Sequence, residues 1–349
     1  MTTMASWRPL PRSLSVIGWW GGGLALALLA AVGLSVAIGA VAIPPGSVGG
    51  ILLDELLPGA VAVDWTRAER NIVWELRAPR ALLAAATGAA LATIGAVLQV
   101  LTRNPLADPY LFGISSGAAV GAVTVILYAG NTAGAMTLPV AAFAGALLAM
   151  ALVFAASRTR EGTSSERLIL TGVAVAFILQ ALTNFLIFNT LDRGADAAIF
   201  WMLGGFSNAR WHMVPLPVIA TLAGLAWLGL RARTINVLVL GDEAARSVGV
   251  DPFALRLELF VVTAVMTGAT VSASGAIGFV GLILPHAVRL VTGGDLRRLL
   301  PLAALAGAVF LVGVDIVARV AMAPREVPLG VMTALVGGVF FLALMRRRR

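Results

Sequence analysis

Apolar runs of membrane length recur along this 349-residue chain from one end to the other, and they leave few folds open. A helix needs about 20 apolar residues to cross the hydrocarbon core of a bilayer. On that measure we expect ten spans, at 16–42, 79–102, 109–129, 135–157, 167–189, 211–231, 254–273, 277–292, 299–320 and 328–345. Lipid offers no partner to an open backbone N–H or C=O, so runs of this kind predict helices. The expected fold is all-α, a polytopic integral membrane protein with ten transmembrane helices. Hydrophobic residues make up 59% of the chain and charged ones 12%, against about 25% charged in soluble domains. No hydrophilic block is long enough to fold separately, so residues 1–349 read as a single transmembrane domain.

Charge chemistry narrows the function. All 25 basic residues are arginine. A phosphate-binding P-loop needs a lysine on the β/γ-phosphates, so an ordinary ATPase site is excluded, and Schiff-base and Ser–Lys chemistry fall with it. The chain has no cysteine, which removes disulfides and thiolate sites, and His212 and His286 lack metal-ligand spacing. No residue is therefore expected to act as a catalyst or to hold a metal. The first apolar run is roughly twice the length of a signal-peptide core, so it reads as a span.

Placing the N-terminus inside puts 17 arginines in cytoplasmic segments and eight outside. The positive-inside rule then favours both termini in the cytoplasm. The outside set is Arg67, Arg70, Arg77, Arg80, Arg193, Arg210, Arg319 and Arg325. Local pairing is one reading: Arg325 beside Glu326, Arg319 four residues after Asp315, Arg77 near Glu75. A docking surface for an acidic external partner is the other. Charge alone leaves both open.

Three interruptions carry further information. Arg103–Gly117, RNPLADPYLFGISSG, breaks the apolar pattern with two prolines, an Asn, an Asp and a Ser-Ser-Gly. Topology puts its first half at the cytoplasmic end of the second span, where it shapes a turn and lets helices pack closely. Leu240–Asp251, LGDEAARSVGVD, reads as a short surface helix. Asp242 and Glu243 suit its positive end, Arg246 its far end and Gly249 its stop. Gly275–Arg289 is broken by glycine and proline, and places His286 and Arg289 on one helical face as an interfacial anchor or, less favoured, a proton relay. Shifting the chain by 180 residues also aligns eight identities in 22 positions, from Ala84/Ala264 to Pro105/Pro285. With the second and seventh spans running oppositely, a true echo would be an inverted repeat.

Residues 76–122 (LRAPRALL…RNPLADPYLFGISSGAAVGA), 275–290 (GAIGFVGLILPHAVRL) and 315–342 (DIVARVAMAPREVPLG…) resemble the signatures of the FecCD family. These are permease subunits of type II ABC importers for iron chelates and vitamin B12. WMLGGF (201–206) and LGDEAARSVGV (240–250) fill the gap, so the resemblance runs from about Ile43 to the C-terminus. The resemblance implies a homodimer in the bacterial inner membrane with its path at the dimer interface. It also implies two separate cytoplasmic ATPase subunits that use ATP and Mg, and a periplasmic substrate-binding protein that docks by acidic residues. By the same resemblance, Arg77, Arg80 and Arg319 would receive that protein. Gly241, Asp242, Glu243, Ala244, Ala245, Arg246, Ser247 and Gly249 would form the coupling helix on the ATPase. Thr163, Ser164, Ser165 and Glu166 would form a cytoplasmic gate. Val327 stands where the family usually has Leu, a mild departure.

The function expected on this basis is import of an iron chelate, haem or ferric siderophore, without enzymatic activity or a bound cofactor in this chain. Cobalamin is the alternative substrate. An ion-coupled transporter is the competing class, and it would want carboxylates buried in the spans. Glu258 and Asp315 are the near candidates.

Overall fold

The computed structural model describes residues 14–132, 134–158, 165–190 and 194–346. It is all-α, with no sheet among those residues. The helices in chain order are α1 (Leu14–Ala37), α2 (Pro45–Leu56), α3 (Arg67–Arg70), α4 (Ala78–Leu101), α5 (Ile114–Thr124), α6 (Thr137–Ser157) and α7 (Ser165–Phe188). There follow α8 (Gly194–Met202), α9 (Pro215–Leu238), α10 (Asp242–Ser247), α11 (Pro252–Ser274), α12 (Val280–Thr292), α13 (Leu296–Val320) and α14 (Leu329–Arg346). Seven helices are long and apolar enough to cross a membrane, and three shorter apolar helices lie at Ile114–Ala129, Val280–Thr292 and Leu329–Phe340. Length and hydropathy alone therefore support seven crossings, and the expected ten stand only if the three shorter helices also span.

The second span is longer than its apolar run. A capping box starts it: the Thr66 hydroxyl accepts from the Glu69 N–H at 3.2 Å, and the Thr66 N–H donates to the Glu69 carboxylate at 2.7 Å. A π-helical turn, Asn71–Arg77, then joins α3 to α4 and gives a continuous 35-residue helix, Arg67–Leu101. Pro79 has no N–H to return to Glu75, and the wider turn sits where that bond is missing.

α4 is the axis of the bundle, buried along nearly its whole length. It packs on α9, α11, α12 and α13, and small residues let the backbones meet. A Cβ on Gly88 would overlap the Gly307 carbonyl of α13, and one on Gly95 would overlap the Gly281 carbonyl of α12. Gly117 of α5 meets Gly145 of α6 in the same way. The 180-residue echo does not carry into local structure. Gly95 sits inside a helix, whereas its counterpart Gly275 ends one at φ 64°. Pro105 lies in a turn, whereas Pro285 lies inside α12.

Gly95→Leu is expected to push α12 off α4, because a backbone carbonyl cannot retreat as a side-chain tip can; overpacking of this kind costs ~1–3 kcal/mol or more. Gly22→Leu, with open space around its Cβ position, is expected to be tolerated. Size-exclusion profiles of the two detergent-solubilised variants check this, and a monodisperse Gly95→Leu peak at wild-type yield would contradict it.

Candidate functional site

Arg77, Arg80 and Arg319 meet at one end of the bundle, where α1 and α13 end and α4 begins. They are 5%, 7% and 5% exposed and turn inward. Arg80 donates through Nε and Nη2 to the Asp315 carboxylate at 2.9–3.1 Å, and through Nη1 to Glu326 at 2.8–2.9 Å. Arg319 lies 3.2 Å from the other side of Asp315 and donates to the Ser35 and Ile38 carbonyls at 3.0 and 3.1 Å. Arg77 donates to the carbonyls of Val36, Ala37 and Val41. The last carbonyls of a helix have no partner of their own and carry its negative dipole end, so two guanidinium groups here close the C-terminus of α1.

This geometry decides the local pairing that charge leaves open. Internal pairing wins for Arg80 and Arg319, with Asp315 as expected for Arg319 and with Glu326 going to Arg80 rather than Arg325. Arg77 pairs with backbone instead of Glu75. Among the described residues, the outside arginines that are exposed are Arg67, Arg210 and Arg325, and Arg193 lies outside those residues.

At the opposite end of α4 lies the short helix the sequence anticipates. α10 begins at Asp242, and Gly249 at φ 80° ends it, with the N–H groups of Gly249 and Val250 closing on Arg246 and Ala245. Glu243, Arg246, Ser247 and Gly249 are exposed, Gly241 and Ala244 half-buried, and Ala245 buried. Leu240 and Val248, 74% and 64% exposed, flank the helix with bare apolar surface.

Asp242 has a further role that helix-end chemistry did not suggest. Its carboxylate accepts two bonds from Arg256 of α11 at 2.7 and 2.8 Å and one from Arg103, just past α4. Arg103 also donates to the Leu238 carbonyl at the end of α9, from a left-handed backbone at φ 50°. The carboxylate thus ties α10, α11 and the turn after α4 together, and Arg103 adds the end of α9. The Arg256 hydrogen bonds first, and the Arg256 and Arg103 charges with them, hold the Asp242 carboxyl below its ordinary value. The ion pair is therefore complete above the usual carboxylate range and is lost only as pH falls through the lowered value.

Of the proposed gate, Thr163 and Ser164 lie outside the described residues; Ser165 opens α7, and Glu166 is exposed in its first turn.

The turn after Arg103 does more than close this end of the bundle. It folds back into the bundle, so that Asp108 and Pro109 lie against Gly281, beside Gly95 and roughly two turns before the end of α4. Asp108 caps a 3-10 turn, Pro109–Phe112, by accepting from the Tyr110 N–H at 2.9 Å. Gly113 at φ 69° then packs on Gly172 and Ala176 of α7. Asp108 and Tyr110 line a mostly apolar cavity of about 590 Å³ with Leu203, Phe279, Leu282 and Val331. Asp108 is thus an interior carboxylate that the span rule placed at the membrane face. The other candidates are paired: Glu258 with Arg231 at 2.7 Å, and Asp315 with two arginines. Arg289 donates to Gln99 at 3.0 Å and His286 stands edge-on to Phe340.

Comparison with known proteins bears on this arrangement. Residues 27–347 match the model of the FecCD transport family. The chain belongs to that family. It is a permease subunit of a type II ABC importer and a multi-pass membrane protein. The permease is 47% identical to the cobalamin import system permease protein BtuC of Halobacterium salinarum over 79% of this chain and 74% of that one. It is 38% identical to the vitamin B12 import system permease BtuC of Klebsiella pneumoniae over 95% and 94%. A solved structure described as an inward-facing metal-chelate type ABC transporter superposes with a TM-score of 0.81 at 28% identity, covering 95% of the permease and 99% of that chain.

Two expectations follow for the permease. Arg80→Glu sets a third carboxylate against Asp315 and Glu326, and breaking a buried pair costs ~3–5 kcal/mol. We expect a loss of folded protein on thermal unfolding in detergent, with exposed Arg210→Glu unaffected; equal melting temperatures would contradict the internal role. Asp242→Asn is expected to keep the permease assembled with its ATPase while reducing stimulation of hydrolysis by substrate-loaded binding protein, and Arg103→Gln should do the same. Wild-type stimulation in both would show that the carboxylate does not join α10 to the turn.

Proposed function

We propose that this permease is the membrane subunit of a cobalamin importer, working as a homodimer in the bacterial cytoplasmic membrane with both termini inside. What carries the substrate assignment is the naming of relatives that match most of the chain as cobalamin or vitamin B12 permeases. The expectation of an iron chelate rests on the family at large. The metal-chelate description of the solved neighbour keeps that as the second reading.

In this reading ATP and Mg act in two separate cytoplasmic ATPase subunits, and α10 enters a cleft on each. Bare Leu240 and Val248 beside charged Glu243 and Arg246 suit such a contact: apolar side chains outside the lipid need protein to cover them. A periplasmic binding protein delivers the substrate to the end of the bundle held by Arg77, Arg80 and Arg319. These arginines shape that end from within, and exposed Arg67, Arg210 and Arg325 offer the charge that meets acidic lobes. The substrate then passes beside the cavity at Asp108 and Tyr110, whose α14 wall adjoins exposed Leu335, Val339 and Leu342. That face belongs to the second copy in this reading.

Reconstitution with the cognate ATPase and binding protein tests the assignment. ATP-dependent uptake of labelled cyanocobalamin is expected, with haem and ferric siderophores excluded. Uptake of an iron chelate without cobalamin would overturn the substrate. Uptake that persists without the ATPase and collapses with an uncoupler would overturn the importer reading itself.

A further inference from the structure

A second cavity, of about 560 Å³, opens between α6 and α11 on the outside of the bundle. Its walls are Leu147, Met150 and Phe154 from one helix and Phe260, Val261 and Ala264 from the other. Ala151 and Ala155, exposed one turn apart on α6, leave it open to the surroundings, and Leu257, Val261 and Val265 continue the apolar stripe along α11. The one charged residue in the lining is Arg158, just past the end of α6. Its guanidinium carbon stands 5.9 Å from the centroid of the Phe253 ring.

Phe253 fixes the level of that charge. It lies in the first turn of α11, directly after α10, so Arg158 sits at the cytoplasmic interface in the orientation proposed above. Among the described residues no carboxylate pairs with Arg158. Asp251, the acid nearest to Phe253 in sequence, turns back to accept from the Phe253 N–H at 2.9 Å. The ring face orients the cation and leaves its N–H groups available. An apolar slot that runs into the membrane from a cation with no carboxylate partner among the described residues, at the headgroup level, matches an acyl chain attached to a phosphate. Basic pockets between helices on the cytoplasmic side recognise anionic lipid in this way.

We propose that the groove between α6 and α11 binds one anionic phospholipid, with an acyl chain along the groove and the phosphate on Arg158. The reading of the leaflet rests on the proposed orientation, while the binding itself rests on the groove and its charge alone.

Native mass spectrometry of the full-length permease, titrated with dioleoyl phosphatidylglycerol and with dioleoyl phosphatidylcholine, tests the site. Wild type is expected to retain phosphatidylglycerol about fivefold more tightly than phosphatidylcholine, the scale of one basic residue at an anionic headgroup. Arg158→Gln should bring phosphatidylglycerol down to the phosphatidylcholine level, and Ala151→Trp, which fills the slot, should weaken both. Arg246→Gln, a cytoplasmic arginine outside the groove, should change neither. A preference that survives Arg158→Gln would overturn the proposal, and so would binding untouched by Ala151→Trp. A preference lost equally in Arg246→Gln would mean diffuse charge attraction and would overturn it as well. Retained melting temperatures in neutral detergent show that the variants are folded. None of these outcomes depends on which chelate is transported.

Discussion

The arrangement at the end of the bundle where α1 and α13 stop and α4 starts depends on one carboxylate. Asp315 is fully buried, and an isolated charge there would be untenable. Arg80 and Arg319 grip it from α4 and α13, and Glu326 balances the second positive charge. Arg319 then reaches on to the end of α1, beside Arg77, so three spans are fastened at one polar knot. Such a knot adds little net stability over apolar packing but penalises every arrangement that leaves a member unpaired. It therefore fixes how α1, α4 and α13 are registered against one another.

α4 connects this knot to the other face. Its small residues press it against α12 and α13 through backbone contacts, which makes it a stiff element. At its far end Arg103 reaches Asp242, and the chain then folds inward to Asp108 and the cavity it lines. A displacement of α10 has a contiguous physical route to the cavity wall through that carboxylate. Arg103 holds a left-handed backbone that a non-glycine residue seldom adopts, and its bonds to Leu238 and Asp242 hold it there.

What could be read from sequence follows how local each cause is. The helix at 242–247 was legible because acids at its start, Arg246 near its end and Gly249 beyond it are signals within one short window. Small-residue packing was legible in kind, since Gly88 and Gly95 announce a close crossing, but their partners Gly307 and Gly281 lie far along the chain. The Asp242–Arg103 and Arg80–Asp315 pairs span separations of 139 and 235 residues, beyond any local pattern. Asp108 was misplaced for a different reason. Hydropathy assigns a polar, proline-rich segment to the membrane face, whereas backbone can return to the interior where protein rather than lipid surrounds it.

The arginines mark the limit of reading charge from topology. Counting them by side shows which end of the bundle is richer in positive charge, and the family resemblance selects three. Neither observation separates a charge presented to a partner from one consumed inside, because both leave an arginine at the same helix end. Burial makes that separation: Arg77, Arg80 and Arg319 turn inward and shape their end of the bundle, while Arg67, Arg210 and Arg325 are exposed, in the proposed reading to what approaches it. The two roles are linked through Glu326, which Arg80 holds one residue after exposed Arg325. A partner drawn to Arg325 would therefore press on the segment joining α13 to α14, and α14 forms part of the cavity wall.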